Sequence, residues 1–420
     1  MLNQFSKILL IIKQKFFPFY KDKKIKFIFK KLQQGFPKEN PTARFVGGCV
    51  RKYLTGEKID DIDVATTLTT DEIKDRFKNT NFKVVETGIK HGTVTITSDN
   101  LKVELTTLRK DIKTDGRHAE VEYTDDWRLD SERRDFTINA IYLDINGKIF
   151  DPQMGTVDLK NKNVKFIGDP QKRIEEDFLR IIRFIRFKII YDSSIERSTL
   201  NAIKQNLNGI RKISRERILD ELLKIFDLEG FLEINNNFQL KEIFSMIFPE
   251  LLYLKRLEKL KKVQHHSKLR REIILAILLI DEKDNHEYFS HKYKISNKIK
   301  DVLEKFARDL NDLKKDKHYL DKDLQKNIYK NGKNHLESLN LLNFTINSKT
   351  KYKEFLNTLN KITKFKMPNF HINGEFLKQN GMKENATLGK VLNIIEEEWI
   401  NNNFKISDNR VKELIRINSN

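Results

Sequence analysis

The sequence predicts an α+β protein, with a small mixed β-sheet in its N-terminal third and helices in the rest of the chain. Within residues 44–150, seven runs alternate Val, Thr or Ile with polar residues, as strands with one half-buried face do. After Asp151 such runs largely stop, and from residue 171 onward the apolar residues recur with helical spacing. Polar loops such as 281–286 separate the helical segments, and no internal repeat is visible.

Residues 1–43 form a basic segment that is predicted to begin with an amphipathic helix. Its apolar run extends only from Ile8 to Ile12 before Lys13 interrupts it, which is too short to span a membrane. No small-residue cleavage site follows it, as a secretory signal would require. No other stretch approaches transmembrane length, so we expect no membrane association and a location in the cytoplasm.

The composition sets outer limits on the function. A chain of 420 residues is long enough for two or more domains. Its 80 Lys and Arg against 60 Asp and Glu give a net charge of +20, which favours a polyanionic partner, nucleic acid before membrane. Because Lys, Asn and Ile are frequent throughout, the charge alone leaves this choice open. The single cysteine, Cys49, excludes an internal disulfide and a cysteine-based zinc site, and it fits a reducing compartment.

The first two predicted strands, RFVGG and IDVAT, carry a glycine pair and two alternating carboxylates. Gly47 and Gly48 allow a tight turn from a buried strand into a helix with Arg51 on its first turns. The N–H groups at such a helix start can receive a triphosphate, which makes Gly48 and Arg51 candidates for nucleotide binding.

The two carboxylates predict a metal site. Asp61 to Ala65 is expected to be a short strand, in which Asp61 and Asp63 point to the same face. Carboxylates held that close repel each other unless a cation lies between them, and Mg²⁺ prefers oxygen ligands and substrate phosphates. An acidic turn after a helix would give the same two residues, so the glycine pair at this spacing is needed for the prediction.

The remaining strand runs are KVVET, GTVTIT, KVELTTL, VEYT and AIYLDI. In KVELTTL, Val103 is expected to point inward and Glu104 outward. Two-metal phosphoryl transfer uses carboxylates on adjacent strands, so Glu104 is a candidate third acid. A solvated strand glutamate fits the same pattern equally well. His91, ahead of the GTVTIT run, is expected to be structural.

A second polar motif follows the sheet, at Arg133, Arg134, Asp135 and Asn139. An arginine pair offers forked donors for phosphate and sugar oxygens, and Asp135 can accept from a ribose hydroxyl. An ordinary surface cluster of ion pairs would look the same in isolation.

The third motif is predicted to lie on a helix that contains Asp177 and Arg180. Residues three apart share a helix face, so the two side chains should stand side by side. Aspartate can accept from an exocyclic amine while arginine donates to the neighbouring ring atom, a pattern that suits cytosine and adenine but not uracil or guanine. Arg183 and Arg186 continue this face toward the triphosphate, whereas an amphipathic helix with solvated ion pairs is the alternative.

Taken together, these motifs resemble those of the class II template-independent nucleotidyltransferases, the tRNA CCA-adding enzymes and bacterial poly(A) polymerases. GGCVRKYLTG and DDIDVAT are similar to the first motif, RRDFTINA to the ribose motif, and DPQMGTVDL to the hinge. EEDFLRIIRFIRF resembles the base-selecting helix, and ISRERILDELLKIF resembles the helix that supports it. The resemblance covers about residues 40–230 and reappears weakly over 372–400, which is similar to the tail of many of these enzymes. As a whole the chain most resembles the bacterial CCA-adding enzymes.

The resemblance implies a small mixed-sheet nucleotidyltransferase head at 44–165, a helical neck with base selection at 166–230, and a helical body and tail at 231–420 that bind tRNA. It implies CCA addition to the 3′ end of tRNA from CTP and ATP, with Mg²⁺ held by Asp61 and Asp63. No protein partner is evident. Residues 110–132 correspond to a flexible loop that moves when the nucleotide changes.

The chain departs from the family pattern at two places. The residue after the arginine of the first motif is usually Asp, whereas here it is Lys52. The hinge usually has two glycines, whereas here Gln153 and Met154 precede a single Gly155. The first departure alters a salt bridge, and neither affects the predicted metal ligands.

Three other functions are compatible with parts of this pattern. A poly(A) polymerase of the same family is disfavoured because the segment around Glu104 is similar to the CCA-adding version and the loop 110–132 is present. An enzyme that adds only the two cytidines typically lacks much of this loop. A catalytically inactive RNA-binding protein would have no need of Asp61, Asp63 and Arg180.

Overall fold

The computed structural model describes residues 19, 22–88, 92–115, 118–191, 194–266, 269–316, 318–383 and 386–418. The predicted helix around Ile8 to Ile12, as well as His91 and the loop tip at 116–117, lie outside the described residues. The chain divides into two compact units, Met1–Phe248 and Pro249–Asn420. Across the described ranges, every helix is too short or too polar to cross a bilayer.

The first unit begins with a mixed β-sheet and the helices that cover it. Its elements are α1 Lys23–Gln33, β1 Ala43–Val46, α2 Gly48–Thr55, β2 Asp63–Thr66, α3 Thr70–Phe77, β3 Lys83–Gly88, β4 Thr93–Ser98, β5 Leu101–Thr107, β6 Arg109–Asp115, β7 His118–Tyr123, α4 Trp127–Glu132, β8 Tyr142–Leu143 and β9 Ile149–Phe150. Each of the seven predicted runs contains a strand. Seven strands form one sheet in the order β3-β4-β5-β2-β1-β8-β9, in which β2 and β5 are parallel and the other pairs antiparallel.

The segment that the resemblance relates to a moving loop, 110–132, contains a β-hairpin and a helix, and the predicted VEYT run falls largely within the hairpin. Strands β6 and β7 form a separate antiparallel hairpin whose register runs from Arg109 opposite Tyr123 to Asp115 opposite His118. Helix α4 then follows directly, capped by Asp126, which accepts a hydrogen bond from the backbone of Arg128 at 2.7 Å. Cross-strand pairing therefore satisfies backbone groups that a loop would leave to solvent.

Helices make up the rest of the first unit. They are α5 Gly155–Lys160, α6 Pro170–Glu176, α7 Leu179–Tyr191, α8 Arg197–Asn206, α9 Arg215–Phe226 and α10 Phe238–Ile247, with 3₁₀ turns at Thr137–Asn139, Leu207–Lys212 and Glu229–Asn236. Phe136, which follows the second polar motif, lies 5.3 Å from Phe187 of α7 and 4.9 Å from Phe166, measured between ring centroids. This aromatic cluster packs α7 directly against the segment that follows α4.

The first unit ends later than the sequence division at 230/231. Phe231 lies 5.0 Å from Phe226 and 5.3 Å from Phe244, and Phe244 lies 5.0 Å from Phe248, between ring centroids. Phe231, Phe244 and Phe248 are fully buried. Residues 231–248 therefore share the core of the neck helices, because their aromatic side chains complete it.

The second unit is helical throughout its described residues. Its helices are α11 Arg256–Val263, α12 Arg271–Leu279, α13 Asn285–Tyr293, α14 Asn297–Lys315, α15 Leu324–Asn331, α16 Lys333–Ile346, α17 Tyr352–Lys364, α18 Gly374–Gln379, α19 Ala386–Asn401 and α20 Asp408–Asn418. Helix α12 is buried from Ile273 onward. The last three helices enclose a small apolar core that includes Leu377, Ile395 and Val411. A mixed-sheet head followed by helices confirms the predicted α+β class.

Candidate active site

The glycine pair forms the floor of the site. Gly47 has φ +72° and ψ −131°, a conformation that side chains disfavour, and α2 begins at the next residue. A Cβ atom placed on Gly48 would lie 3.1 Å from Oδ2 of Asp61, and one on Gly47 would lie 3.7 Å from Oδ2 of Asp63. The missing side chain of Gly48 therefore lets Asp61 approach the turn between β1 and α2, whereas a Cβ on Gly47 would be in ordinary contact with Asp63.

The predicted strand geometry of the two carboxylates is wrong in one respect. Strand β2 begins at Asp63, and Asp61 precedes it in an irregular segment, so the pair does not share a face through the pleat of one strand. The two carboxylates converge because both are directed at the glycine turn. Asp61 is exposed and Asp63 is half-buried.

Glu104 is placed beside this pair by the parallel strand β5, where it lies directly opposite Asp63. Val103 is buried and Glu104 is exposed, as the alternation predicted. Burial, followed by the charges of Asp61 and Glu104, raises the pKa of Asp63 to about 6. Three carboxylates thus concentrate negative charge where β2 begins beside β5, which is an environment that a hard divalent cation stabilises.

The donor set fits Mg²⁺ that shares its ligands with a substrate. Mg²⁺ is commonly held by one or two carboxylates together with substrate phosphates and water, which requires no complete protein cage. Among the described residues, the ligand atoms that all lie within 4.8 Å of one another belong to Asp284, His286 and Glu287 of the second unit, and not to the acids of the head. Asp61 and Asp63 are the acids of the head that could hold such an ion together with phosphate oxygens.

Lys52, at the position where the family usually has Asp, points into the same region. Its ammonium group forms an ion pair with Asp60 and lies 3.4 Å from Oδ1 of Asp61. The same cleft is lined by Gly48, Arg51, Lys52 and Asp61.

A chain of alternating charges and amides links α2 to the neck helices. Asn139 accepts from Arg51 and donates to Oδ1 of Asp135 at 2.8 Å. Nε of Arg183 donates to Oδ2 of Asp135 at 2.8 Å. Burial alone would raise the pKa of Asp135. The charge of Arg183 and these hydrogen bonds nevertheless hold this pKa well below its usual range. Asp135 is thus fully engaged inside the protein.

The same chain continues to Arg186 through a buried acid that the sequence analysis missed. Glu221 of α9 is 2% exposed and accepts from Nε of Arg186 at 2.8 Å. Burial would raise the pKa of Glu221, but Arg186, Arg183 and Lys224 together lower it. Glu221 lies on the buried stripe of α9, so a carboxylate among apolar helix positions was the available signal.

The arginine pair is held by a second missed acid. Nε of Arg133 donates to Oδ1 of Asp130 at 2.8 Å, and Nη2 of Arg134 donates to Oδ2 at 3.1 Å. The hydroxyl of Tyr142 donates to the same carboxylate at 2.7 Å. Burial opposes ionisation of Asp130, yet Arg134 and Arg133 lower its pKa to about 2. The spacing of three and four residues before the arginines was the signal for this acid.

The predicted helical pairing of Asp177 with Arg180 is wrong. Helix α6 ends at Glu176 and α7 begins at Leu179, so Asp177 lies between them with an extended backbone, φ −153° and ψ 105°. Its Oδ1 accepts from the backbone N–H of Leu179 at 3.1 Å, which satisfies a free donor at the start of α7. This local hydrogen bond competes with the backbone hydrogen bonds of a continuous helix, which explains why the helix is interrupted at Asp177.

Each member of the expected pair has another partner. Oδ2 of Asp177 accepts from Arg217 of α9 at 2.8 Å. Arg180 is buried and its Nη1 donates to Glu176 at 2.6 Å and to the carbonyl of Arg173 at 2.7 Å. Arg217 and Glu176 therefore determine where the two groups point.

The hinge segment is tightly organised. Asp151 accepts from the backbone N–H groups of Gly155 and Thr156, both at 2.8 Å. Met154, where the first of the two glycines usually stands, adopts a left-handed backbone with φ +56°. A Cβ atom on Gly155 would lie only 2.0 Å from the carbonyl oxygen of Thr137, so this glycine is sterically required.

Comparisons with known proteins agree with this geometry. A family model described as the poly A polymerase head domain matches residues 43–165, and one described as the probable RNA and SrmB-binding site of polymerase A matches residues 194–254. CCA tRNA nucleotidyltransferase 1, mitochondrial, of Danio rerio is 33% identical over 389 residues, which cover 90% of this chain and 87% of that protein. The CCA-adding enzyme of Lactobacillus helveticus is 31% identical over 387 residues, which cover 89% of this chain and 92% of that protein.

A solved structure shares the fold. The crystal structure of the Bacillus stearothermophilus CCA-adding enzyme in complex with CTP has a TM-score of 0.69 to this chain at 23% identity, and the match covers 93% of this chain and 96% of that one. Because the relatives exceed 30% identity over nearly their whole length, the similarity extends well beyond the head. The chain belongs to the class II nucleotidyltransferase family of CCA-adding enzymes.

Proposed function

We propose that this protein adds the sequence CCA to the 3′ end of tRNA from CTP and ATP, without a nucleic-acid template. The observation that carries the proposal is the convergence of Asp61 and Asp63 on the glycine turn, with Glu104 beside them on the adjacent strand. Full-length relatives named CCA-adding enzymes support it. An RNA-binding protein without activity has no use for carboxylates crowded in this way.

In this proposal Asp61 and Asp63 hold Mg²⁺ and Glu104 is the third acid of the site. When bound, the metal would polarise the triphosphate and lower the pKa of the attacking 3′-hydroxyl. Gly48 presents backbone N–H groups at the start of α2, and Arg51 lies one turn further along the same helix. Positive charge near the triphosphate is thus supplied from the first turns of α2.

In the same proposal, the second polar motif and its neighbours hold the arginine side chains of the site in position. Arg133 and Arg134 share Asp130, which fixes their guanidinium groups at the edge of the sheet. Asp135 and Asn139 connect Arg51 with Arg183. Arg183 and Arg186, both anchored by Glu221, are proposed to face the nucleotide from the neck side.

Base choice is proposed to reside in Asp177 and Arg180. Asp177 would accept from the exocyclic amine of cytosine or adenine, and Arg180 would donate to the neighbouring ring atom. Arg217 and Glu176 would hold the two groups in place between substrates.

We further propose that the head comprises residues 44–165 and that residues 166–230 form the neck, whose core residues 231–248 complete. The lysine-rich body and tail are proposed to bind tRNA. The cytoplasm is the proposed location. The vertebrate relatives are named as mitochondrial proteins, so microscopy of the full-length chain with a C-terminal fluorescent tag separates the two compartments.

The direct test supplies purified protein with Mg²⁺ and a tRNA transcript that lacks CCA. CTP alone should extend it by two nucleotides, CTP with ATP by three, and UTP or GTP alone should add nothing. A transcript that already ends in CCA and the Asp63→Ala variant are the controls. Long adenosine tails from ATP alone would indicate a poly(A) polymerase, and binding without extension would indicate an inactive RNA-binding protein.

A further inference from the structure

Lys52 is a basic residue among acids that the proposed function assigns to the metal. It follows Arg51 on the first turns of α2, where the family usually has Asp. Its side chain is only 21% exposed, and its ammonium group pairs with Asp60 and reaches Oδ1 of Asp61 at 3.4 Å. The family pattern alone would place a further negative charge at this point, whereas this chain places a positive one.

The geometry divides the two oxygens of Asp61 between two neighbours. Oδ1 faces the ammonium group of Lys52, and Oδ2 faces the backbone of Gly48 at the turn. The ammonium group of Lys52 thus contacts the carboxylates of both Asp60 and Asp61. A cation that binds Asp61 therefore meets an ammonium group already on the same carboxylate.

We propose that Lys52 exchanges its partner during nucleotide binding: it neutralises Asp61 before the metal arrives and contacts the triphosphate once the metal takes that carboxylate. The inference rests on the proposed function, since it assumes that Asp61 is a metal ligand. Lys52 lines the same cleft as Gly48 and Arg51, so its amine need not leave the site to change partners. A flexible lysine stem with three donors suits such a move.

The exchange has two consequences of opposite sign. Without nucleotide, Lys52 competes with a metal for Asp61, so its removal should strengthen metal binding. With nucleotide, Lys52 supplies a charge-assisted contact to phosphate, so its removal should weaken CTP binding. Replacement of a residue with a purely structural role would weaken both metal binding and CTP binding.

The test uses the full-length protein with Glu287→Gln as background, so that the cluster in the second unit does not contribute metal binding. Free Mn²⁺ is measured by electron paramagnetic resonance without nucleotide, and CTP binding is measured by equilibrium dialysis with Mg²⁺ and without tRNA. Lys52→Gln should bind Mn²⁺ about fivefold more tightly and CTP about fivefold more weakly, on the scale of an exposed to half-buried ion pair. Lys52→Arg should bind both Mn²⁺ and CTP with affinities close to those of the parent protein.

Lys58→Gln is the matched control, because it removes the same charge from an exposed position six residues further along. The proposal is overturned if Lys52→Gln changes Mn²⁺ affinity no more than Lys58→Gln does. It is also overturned if Lys52→Gln weakens the binding of both Mn²⁺ and CTP. Asp61→Asn separates the two levels of inference. If Asp61→Asn binds Mn²⁺ more weakly, Asp61 is a metal ligand, and the Lys52 variants then decide the partner exchange separately. If Mn²⁺ binding is unchanged, both the metal assignment and the partner exchange are overturned.

Discussion

Asp130 is expected to contribute more to the stability of the first unit than any surface charge near it. Its carboxylate is fully buried and accepts hydrogen bonds from Arg133, Arg134 and Tyr142. Asp130→Asn keeps the shape of the side chain but leaves two arginines without their counter-charge. Removing one partner of a buried charge cluster costs about 3–5 kcal/mol.

The pKa of Asp130 gives a second magnitude and a pH dependence. Its value of about 2, against an ordinary 3.8, corresponds to roughly 2–3 kcal/mol of stability at about 1.36 kcal/mol per pKa unit. Because this pKa is lowered by folding, the contribution is complete above pH 3.8 and is lost as the pH falls toward 2. The variant should therefore unfold about 3 kcal/mol more easily at pH 7. At pH 3 its difference from the parent should be smaller by about 1 kcal/mol.

Urea unfolding followed by fluorescence measures this effect selectively. The chain has two tryptophans, and Trp127 packs edge-on against Tyr142 at 5.5 Å between ring centroids. In a Trp399→Phe background the remaining fluorescence reports on the surroundings of Asp130. Glu132→Gln, an exposed neighbour, is the control and should change stability by no more than about 0.5 kcal/mol. A loss below about 1 kcal/mol at pH 7, or a difference that does not narrow at pH 3, would refute the reasoning.

Four further outcomes are expected. Asp61→Ala or Asp63→Ala should abolish nucleotide addition by orders of magnitude while tRNA affinity stays largely intact, and near-normal turnover in Mg²⁺ would disprove the metal assignment. Replacing Asp177 and Arg180 together should relax discrimination against UTP and GTP, with each lost hydrogen bond worth roughly 1–3 kcal/mol; kcat/KM for all four nucleotides on one tRNA decides this, and an unchanged CTP-to-UTP ratio contradicts it. Affinity should be similar for many different tRNAs, fall steeply with salt and exceed that for unstructured RNA of equal length, whereas equal affinity for both would favour the poly(A) polymerase alternative. Gly155→Ala should destabilise the first unit by at least about 2 kcal/mol in urea unfolding, because its Cβ would collide with the backbone, and a stability equal to the parent would exclude that collision.

The sequence by itself determined the local elements and the family. Alternating runs located the strands of the main sheet except β9, and the glycine pair indicated the turn that receives Asp61 and Asp63. These signals are local, because side-chain period and backbone freedom depend on residues near in sequence. The motifs and their order were sufficient to predict the family, because each motif is a short segment that can be read directly from the sequence.

Only the tertiary structure decided which charges face each other. Strand β5 pairs parallel to β2 with Glu104 opposite Asp63, a register that depends on a crossover of many residues. The break at Asp177 arises because its carboxylate caps α7 while Arg217 of another helix holds its second oxygen. The spacing of Asp130 from Arg133 and Arg134 permits an ion pair, and its burial in the folded protein makes it their anchor. Pairing across the fold selects among equally plausible local arrangements, because desolvated charges must find partners wherever packing places them.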